Sequence, residues 1–507
     1  MSDITVVEAG KLNLPETTFT GRHLIGGSWL DSSDSATFER LSPSHGHVVS
    51  VSANGGATEV EAAIMSARKA FDEGVWKKMS GKDRSTLLLT VADLISQNRN
   101  RIALFETLES GKPITQAKAE IEGAVDIWRY AAALARTLHG DSHNSLGGDM
   151  LGMILKEPVG VVSMITPWNF PFLIVSQKLP FALAAGCTAV VKPSELTPST
   201  TVILGELIQA AGFPAGVVNI VLGYGDPVGS SMSTHEAVDM VTFTGSTAVG
   251  KKIVEATSAS LKKVSLELGG KNPQVIFPDA DLDQAADAIV FGVYFNAGEC
   301  CNSGSRIIAH EDVAELLTEK VVELSRKVPF GDPQDPRTQV GAIISEAHND
   351  KIAGYVKAAS DAGADIRLGG QALEVPGLTG RFFMPTVVSS LSADMPIARE
   401  EVFGPVLSVL TFTEFDEAVS LANSTSYGLS AGVWSENVHT CLSFAREAQA
   451  GTVWTNTWMD GYSEIPFGGV KESGLGRELG RYGIEEFLET KSVLMRIGKT
   501  RAAWVQK

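Results

Sequence analysis

Val161-Val-Ser-Met-Ile165, Ala189-Val-Val191, Val218-Asn-Ile-Val-Leu222, Met240-Val-Thr-Phe243 and Val264-Ser-Leu-Glu-Leu268 are short β-prone runs, each separated from the next by a segment of helix length. Strand and helix therefore alternate between Gly160 and Leu268, and repeated βα units build a parallel sheet with helices on its faces. Ligands of such sheets bind at the carboxyl ends of the strands. The chemistry is accordingly sought just after each run, in residues 166–171, 192–195, 223–229, 244–246 and 269–271.

A second αβ series follows, with helix periodicity near residues 286–295, 313–325, 415–422 and 438–448 and strands near 406–412 and 432–434, which predicts a second α/β domain. Upstream, Val60, Ile64, Ala67 and Phe71 share one helical face behind Thr58 and Glu61 in capping-box spacing, so residues 58–71 read as a surface helix on a core. Residues 1–18 are mostly polar and lack a period; they read as a loose arm. The chain closes, after a glycine-rich stretch from Phe467, on a β-prone segment at 492–497.

The 507 residues are about three times the ~150 of a typical domain, so two or three domains are expected. A hydrophobic share of 44% against 20% charged is enough to bury cores and excludes disorder as the main state. The net charge of −17 repels phosphate backbones and anionic lipid, which argues against nucleic-acid and membrane-surface partners. The uncharged stretch 158–177 is broken by Pro167, Asn169 and Pro171, short of the ~18 apolar residues of a membrane span. Cys187, Cys300, Cys301 and Cys441 form no disulfide framework, and His139 and His143 lack a third ligand, so no metal is expected. The first residues carry acids in place of a basic and apolar leader, and the chain reads as cytoplasmic.

Cys301 lies in Phe295-Asn-Ala-Gly-Glu-Cys-Cys-Asn-Ser-Gly-Ser-Arg306. A glycine-bracketed turn can expose a thiol to backbone N–H groups that lower its pKa and serve as oxyanion donors. On this window alone, nucleophile and buried bystander stand even. Glu267, inside an apolar strand before Gly269-Gly270, is either a desolvated general base or a strand-end carboxylate facing water. In Pro167-Trp-Asn-Phe-Pro171 two prolines fix a loop that presents the Asn169 amide, unless Asn169 merely satisfies its own backbone. Lys192-Pro-Ser-Glu195 places a carboxylate where a dinucleotide's adenosine ribose would lie; it accepts from both hydroxyls and repels a 2′-phosphate, favouring NAD over NADP, with a solvated ion pair as the alternative. Gly223-Tyr-Gly-Asp-Pro-Val-Gly229 misses a dinucleotide fingerprint by one residue. Gly245-Ser-Thr-Ala-Val-Gly-Lys-Lys252 has phosphate-loop spacing but ends on Lys252, where a Ser or Thr must hold Mg²⁺, which weakens an ATPase reading. A glycine-rich turn opening a helix still suits a pyrophosphate.

Seven segments in register, Pro167-Trp-Asn-Phe-Pro171, Lys192-Pro-Ser-Glu195, Phe243-Thr-Gly-Ser246, Leu266-Glu-Leu-Gly-Gly-Lys271, Gly298-Glu-Cys-Cys301, Glu401-Val-Phe-Gly-Pro405 and Pro466-Phe-Gly-Gly-Val-Lys-Glu-Ser-Gly474, resemble the NAD(P)-dependent aldehyde dehydrogenase superfamily over nearly the whole chain. The resemblance implies a Rossmann-like cofactor domain (1–126 and 145–266), a second α/β catalytic domain (267–477) and a bridging β element (127–144 and 478–507) that assembles homodimers or homotetramers. It implies that Cys301 is the nucleophile, that the Asn169 amide and the Cys301 N–H hold the oxyanion, and that Glu267 activates the hydrolytic water, with Lys178 behind the site in proton relay. It implies that Lys192 and Glu195 hold the adenosine ribose, Ser246 the pyrophosphate and Glu401 the nicotinamide ribose, with Phe403 beside the ring. Trp168, Gly225 and Lys351 belong to the same cleft, completed by Ile165, Thr166, Pro167, Ser194, Gly229, Phe243 and Gly245.

Two departures bear on the substrate. Glu299 stands where Gln is commoner and would raise the thiol pKa if it pointed inward. Gln177 and Gly461 replace aromatics of the substrate tunnel, leaving Phe170, Ile174, Gln177, Phe291, Phe295, Trp458 and Phe467 as its walls. A wider or more polar tunnel with Asp460 and Glu464 near its mouth fits a polar, amino or betaine-like aldehyde. A structural or binding protein that kept the fold is the alternative from another class; it predicts loss of Cys301, Glu267 or Asn169, all of which are present.

Overall fold

The structure, a computed structural model, describes residues 4–10, 12–15, 17–498 and 504–505. Two α/β units dominate it. In the first, eight strands run in the order Gly474–Leu475, Lys263–Glu267, Met240–Thr244, Val161–Ile165, Thr188–Lys192, Val218–Ile220, His23–Ile25 and Ser28–Leu30. The central five are parallel, and antiparallel strands close both edges. Burial on both faces explains the near-continuous apolar runs that announce these strands in the sequence. Val162, Met164, Ala189 and Val191 face helices that include Gly81–Gln97, Ile114–Thr137, Pro171–Ala185 and Ser199–Ala210. Val161, Ile165 and Val190 face Ala57–Glu73 and Thr247–Thr257 on the other side.

The second sheet has seven strands, in the order Asp365–Leu368, Thr386–Ser389, Val406–Phe412, Arg306–His310, Pro273–Ile276, Ser430–Trp434 and Thr452–Thr455, all parallel except the first pair. It too carries an apolar core on each face. Val161–Ile165 is flanked by Thr188–Lys192 on one side and Met240–Thr244 on the other. The chain thus changes direction across the sheet there, and a crevice opens at the carboxyl ends of these strands. The residues between Glu267 and Pro273 lead straight from the carboxyl edge of the first sheet to the amino edge of the second.

A third, three-stranded sheet pairs Leu488–Arg496 with Met150–Pro158 over nine positions, with Ser142–His143 on the far side. Met150–Pro158, which the sequence reading places in 145–266, has the C-terminal strand as its partner. Residues 127–137 are the end of the helix Ile114–Thr137, and their Ile127, Trp128 and Ala131 are buried in the core of the first unit. Likewise Gly474–Leu475 hydrogen-bonds to Lys263–Glu267, so the 267–477 segment returns to the first sheet at its end.

Two local expectations also change. The N-terminal arm is tied down: Val6–Val7 pairs in parallel with Phe330–Gly331, and Gly10 N donates to Asp332 Oδ2 at 2.9 Å. A two-residue strand is too short to leave a period in the sequence. The first long helix is capped two residues earlier than the Thr58/Glu61 spacing indicates, by Gly56 with the Glu59 carboxylate accepting from the Gly56 N–H at 2.8 Å.

Candidate active site

After the helix Leu282–Tyr294 the chain turns sharply, with Asn296, Ala297 and Gly298 at φ of 52°, 57° and 73°. Successive left-handed residues are costly for L side chains and are kept where surrounding contacts over-determine them. This turn delivers Cys300, buried, and Cys301, partly exposed. Asn272 Nδ2 donates to Cys301 O and Ser303 O, both at 2.9 Å, fixing the Cys301 segment. The double glycine before it has a steric reason. A Cβ on Gly269 would sit 2.5 Å from the Glu401 carboxylate, and one on Gly270 would sit 2.6 Å from Cys301 O.

The Cys301 thiol is pushed well above its ordinary range by its contact with the Cys300 thiol, by burial and by the Glu401 carboxylate, with the Asn302 backbone N–H acting in the opposite direction. The turn's N–H group thus acts in the direction that the sequence window indicates but is outweighed by burial and the neighbouring groups. Glu299 does not point at the thiol either. Its carboxylate is buried and accepts from Ile344 N at 3.0 Å, 3.8 Å from His348 Nε2. Its backbone carbonyl, by contrast, faces the site and accepts from Asn169 Nδ2 at 3.0 Å.

Glu267 ends its strand 5% exposed, and neither carboxylate oxygen has a hydrogen-bond partner. Burial raises it well above the usual carboxylate range, helped by the neighbouring Glu478 carboxylate and the Cys301 charge and opposed by Lys178 and Arg477. A Cβ on Gly468, which has φ +153°, would come 2.6 Å from Glu267 Oε1, so that glycine is what leaves the carboxylate its space. Lys178, fully buried, donates to the Glu478 carboxylate and to Thr242 Oγ1 at 3.0 Å. Glu478 is a member of this cluster that sequence reasoning missed, since it lies in a polar C-terminal segment without a motif.

Two hollows meet at this thiol. One, of 180 Å³, is lined by Pro167, Trp168, Asn169, Gly245, Ser246, Lys351, Glu401 and Phe403, all expected from sequence, and by His348, which was not. Trp168, Phe403 and His348 form a cluster of edge-to-face rings with centroids 5.5 to 5.9 Å apart. Glu401 Oε1 accepts from Gly270 N at 3.0 Å, and burial lifts its carboxyl to about 7. Ser246 caps the helix Thr247–Thr257, whose N-terminal N–H groups and dipole suit an anion. Lys192, Ser194, Glu195, Gly225, Gly229, Ile165, Thr166 and Phe243 are outside this hollow. Lys192 Nζ lies 3.6 Å from Glu195 Oε2, and Gly229 borders Lys192 and Ile165. Thr166 and Ser194 are buried, Gly225 faces open space, and Phe243 is in the core below.

The other hollow, of 290 Å³, is walled by Phe170, Ile174, Gln177, Phe291, Phe295 and Phe467, as expected. Trp458 is a correction. Its indole is packed inside against Gly292, Gly304 and Gly432, and the adjoining Trp454, with ring centroids 4.8 Å apart, lines the hollow instead. Asp460 lines it and Glu464 does not. Glu120, from the helix Ile114–Thr137, is the second acid in the wall and was missed because it sits far upstream. Among the described residues no Lys or Arg lines this hollow, although the Lys112 ammonium lies 4.4 Å over the ring of Phe170 in its wall. Among the described residues Cys301 alone lines both.

A larger hollow of 840 Å³, bordered by Thr17, Arg101, Lys118 and Gln334, is lined by no cysteine, histidine or acid among the described residues. Among the described residues there is no group of three or more His, Cys, Asp or Glu placed to hold a metal, and no helix is long and apolar enough to cross a membrane.

Similarity to known proteins agrees with this geometry. Betaine aldehyde dehydrogenase of Bacillus subtilis strain 168 is 39% identical over 481 residues, 95% of this chain and 98% of the relative. The crystal structure of an NAD-dependent aldehyde dehydrogenase from Sinorhizobium meliloti superposes with a TM-score of 0.94 at 50% identity, covering 97% of both chains. That of betaine aldehyde dehydrogenase from Staphylococcus aureus in complex with NAD+ does so with a TM-score of 0.94 at 38% identity, covering 96% of this chain and 97% of the other. Residues 29–493 match the aldehyde dehydrogenase family, a span that holds Cys301 and the parallel strands of both sheets, and the chain belongs to that family.

Proposed function

We propose that this chain oxidises an aldehyde to a carboxylic acid with NAD, through a covalent adduct on Cys301. The observation that carries the reading is that Cys301 is the residue shared by the two hollows, so a group held in one can react with a group held in the other at a single sulfur. The thiolate attacks the aldehyde carbon, forming the C–S bond, and the charge that develops on oxygen falls to the free N–H of the Asn169 amide and the Cys301 backbone N–H. Bound NAD supplies the acceptor for the hydride that this carbon must lose, which leaves a thioester. Glu267 then takes a proton from the attacking water, directly or through a second water, and the C–S bond breaks to release acid and thiolate. Its raised pKa and lack of any fixed partner suit a base that must gain and lose a proton. The Lys178–Glu478 pair beside it gives that proton an exit.

The cleft fits a dinucleotide. The unpartnered Thr244 hydroxyl, the capped helix N-terminus at Ser246 and the Glu401 carboxylate line the hollow beside Cys301. Glu195 beside Lys192 would take the adenosine ribose and repel a 2′-phosphate, which favours NAD over NADP. Substituting Cys301→Ser tests the assignment: NADH formation falls by roughly 10⁴- to 10⁶-fold while NAD still quenches tryptophan fluorescence. Unchanged turnover refutes the nucleophile.

A polar or cationic aldehyde, of the amino or betaine-like class, is the substrate class that the second hollow supports. Aromatic faces attract ammonium groups, and Asp460 adds a carboxylate to this wall, whereas Glu120 is already shared with Lys112. A comparison of kcat/KM for an aminoaldehyde and an uncharged aldehyde of equal length decides it, and a clear win for the uncharged one ends the reading. The outer strand Leu488–Arg496, with Leu494 70% exposed and Ile497 60% exposed just beyond it, is the surface through which we propose copies of this chain assemble as a homodimer or homotetramer. Light scattering on a sizing column reads the mass. A cytoplasmic setting, reducing enough to keep Cys301 a thiol, completes the proposal.

A further inference from the structure

The turn before the nucleophile is held by more than its own backbone. Asn296, 4% exposed, donates from Nδ2 to Asn169 O at 3.2 Å and to Glu299 O at 3.0 Å. Glu299 O also receives the Asn169 side-chain amide at 3.0 Å. One side chain therefore joins the loop that carries the oxyanion donor to the turn that carries the sulfur. The Asn169 amide has two N–H bonds; the first is spent on Glu299 O, and that bond aims the second.

The staple continues outward. Gln116 Nε2 donates to Asn296 Oδ1 at 3.2 Å and to Glu120 Oε1 at 2.7 Å. Glu120 lines the aldehyde hollow, and its other oxygen takes the ammonium of Lys112, which also lies 4.4 Å over the ring of Phe170 in the same wall. An unbroken buried chain thus runs from the wall that meets the distal end of a substrate to the amide that meets its reacting oxygen. Asn296 is suited to the joint, because Asn tolerates the left-handed φ of 52° that the turn imposes there.

We propose that Asn296 is a positioning residue of the carbon–sulfur bond-forming step, holding the Asn169 donor against the nucleophile turn, and that Gln116 links that donor to the Glu120 wall of the aldehyde hollow. The proposal rests on the assignment of Cys301 and Asn169 made above. It adds that the donor is aimed from outside the site, by a chain that begins at the substrate wall.

The test uses a reaction that needs the thiol without the donor. Alkylation of Cys301 by iodoacetamide displaces iodide at a saturated carbon and builds no oxyanion, whereas attack on an aldehyde builds one. In Asn296→Ala, kcat/KM for aldehyde oxidation falls about 10²-fold, while the alkylation rate of Cys301, resolved from Cys300 by peptide mass spectrometry, stays within about twofold of the parent protein. Gln116→Met keeps the turn and its volume but leaves Asn296 Oδ1 without a donor, and kcat/KM falls about tenfold with alkylation again unmoved. Wild-type kcat/KM in Asn296→Ala, or an equal fall in alkylation, overturns the positioning role; wild-type kcat/KM in Gln116→Met overturns the link to the wall. Should Asn296→Ala not fold, Gln116→Met decides alone, since loss of the link predicts its defect and absence of the defect denies it. Turnover surviving in Cys301→Ser would instead refute the assignment on which the proposal stands, whatever Asn296 does.

Discussion

The two hollows that meet at Cys301 are built on opposite plans. The proposed aldehyde side is mostly rings and aliphatic carbon held by packing, with Glu120 tied from behind by Gln116 and Lys112. The proposed cofactor side is polar, with Glu401, Lys351, His348 and a helix N-terminus; Glu401 accepts from Gly270 N and His348 donates to Phe403 O. Packing tolerates a range of shapes at modest cost, whereas a hydrogen-bonded site rejects what leaves its groups unpaired. The cofactor side is therefore the more discriminating of the two, and the aldehyde side sorts by charge and bulk. Glu267 belongs to neither wall, and it is also the least satisfied buried acid of the site.

Removing that base is the most drastic way to break the comparison, because both walls remain. In Glu267→Gln the carbon–sulfur step and hydride loss continue and thioester hydrolysis fails, so steady-state turnover drops by about 10²- to 10⁴-fold. Stopped-flow absorbance should show one NADH per site formed rapidly, then almost none. A slow progress curve without the burst would place Glu267 before hydride loss. The sign of the pH dependence follows from the same group. A base raised above the usual carboxylate range is protonated and idle in acid, so turnover of the parent protein rises with pH well beyond that range.

Glu401 sharpens the contrast from the cofactor side. Its carboxyl is lifted to about 7, so the charge that would accept from a ribose hydroxyl is lost as pH falls through that value. The KM for NAD is expected to rise as pH drops from 8 to 6, and Glu401→Gln to raise it about tenfold at pH 8 with the slope removed. The KM for the aldehyde should move less than about twofold; a parallel rise would mean that the two walls are not independent.

The chemistry of the site was more legible in the sequence than its supports. Cys301, Glu267, Asn169 and Glu401 each sit in short motifs beside glycines or prolines, because a group that must approach backbone or ligand closely dictates its neighbours, as Gly269, Gly270 and Gly468 show. The sheets were legible because strands buried on both faces are apolar throughout. Glu120, Gln116, His348 and Glu478 were not, since each lies on an ordinary helix or loop and only the fold brings it beside Asn296, Phe403 or Lys178. Trp458 misled for the same reason: a large aromatic near a cavity reads as a wall, and only the three glycines packed on it show that it faces inward.

The mildest expected effect is the most specific to the aldehyde wall. Glu120 is buried, and its carboxyl is pushed up to about 8 although Lys112 pairs with it. A group raised in this way is neutral below that value and charged above it. With a quaternary ammonium aldehyde, whose own charge is fixed at every pH, the preference over an uncharged aldehyde of equal length should increase between pH 7 and 9 as Glu120 ionises. Because Lys112 already shares the charge, the gain is of the size of a partly screened ion pair, about two- to fivefold. In Glu120→Gln the preference should be smaller and flat with pH, with the KM for NAD unchanged. A preference that persists and still rises with pH would move the selective charge to Asp460, the other acid of that wall.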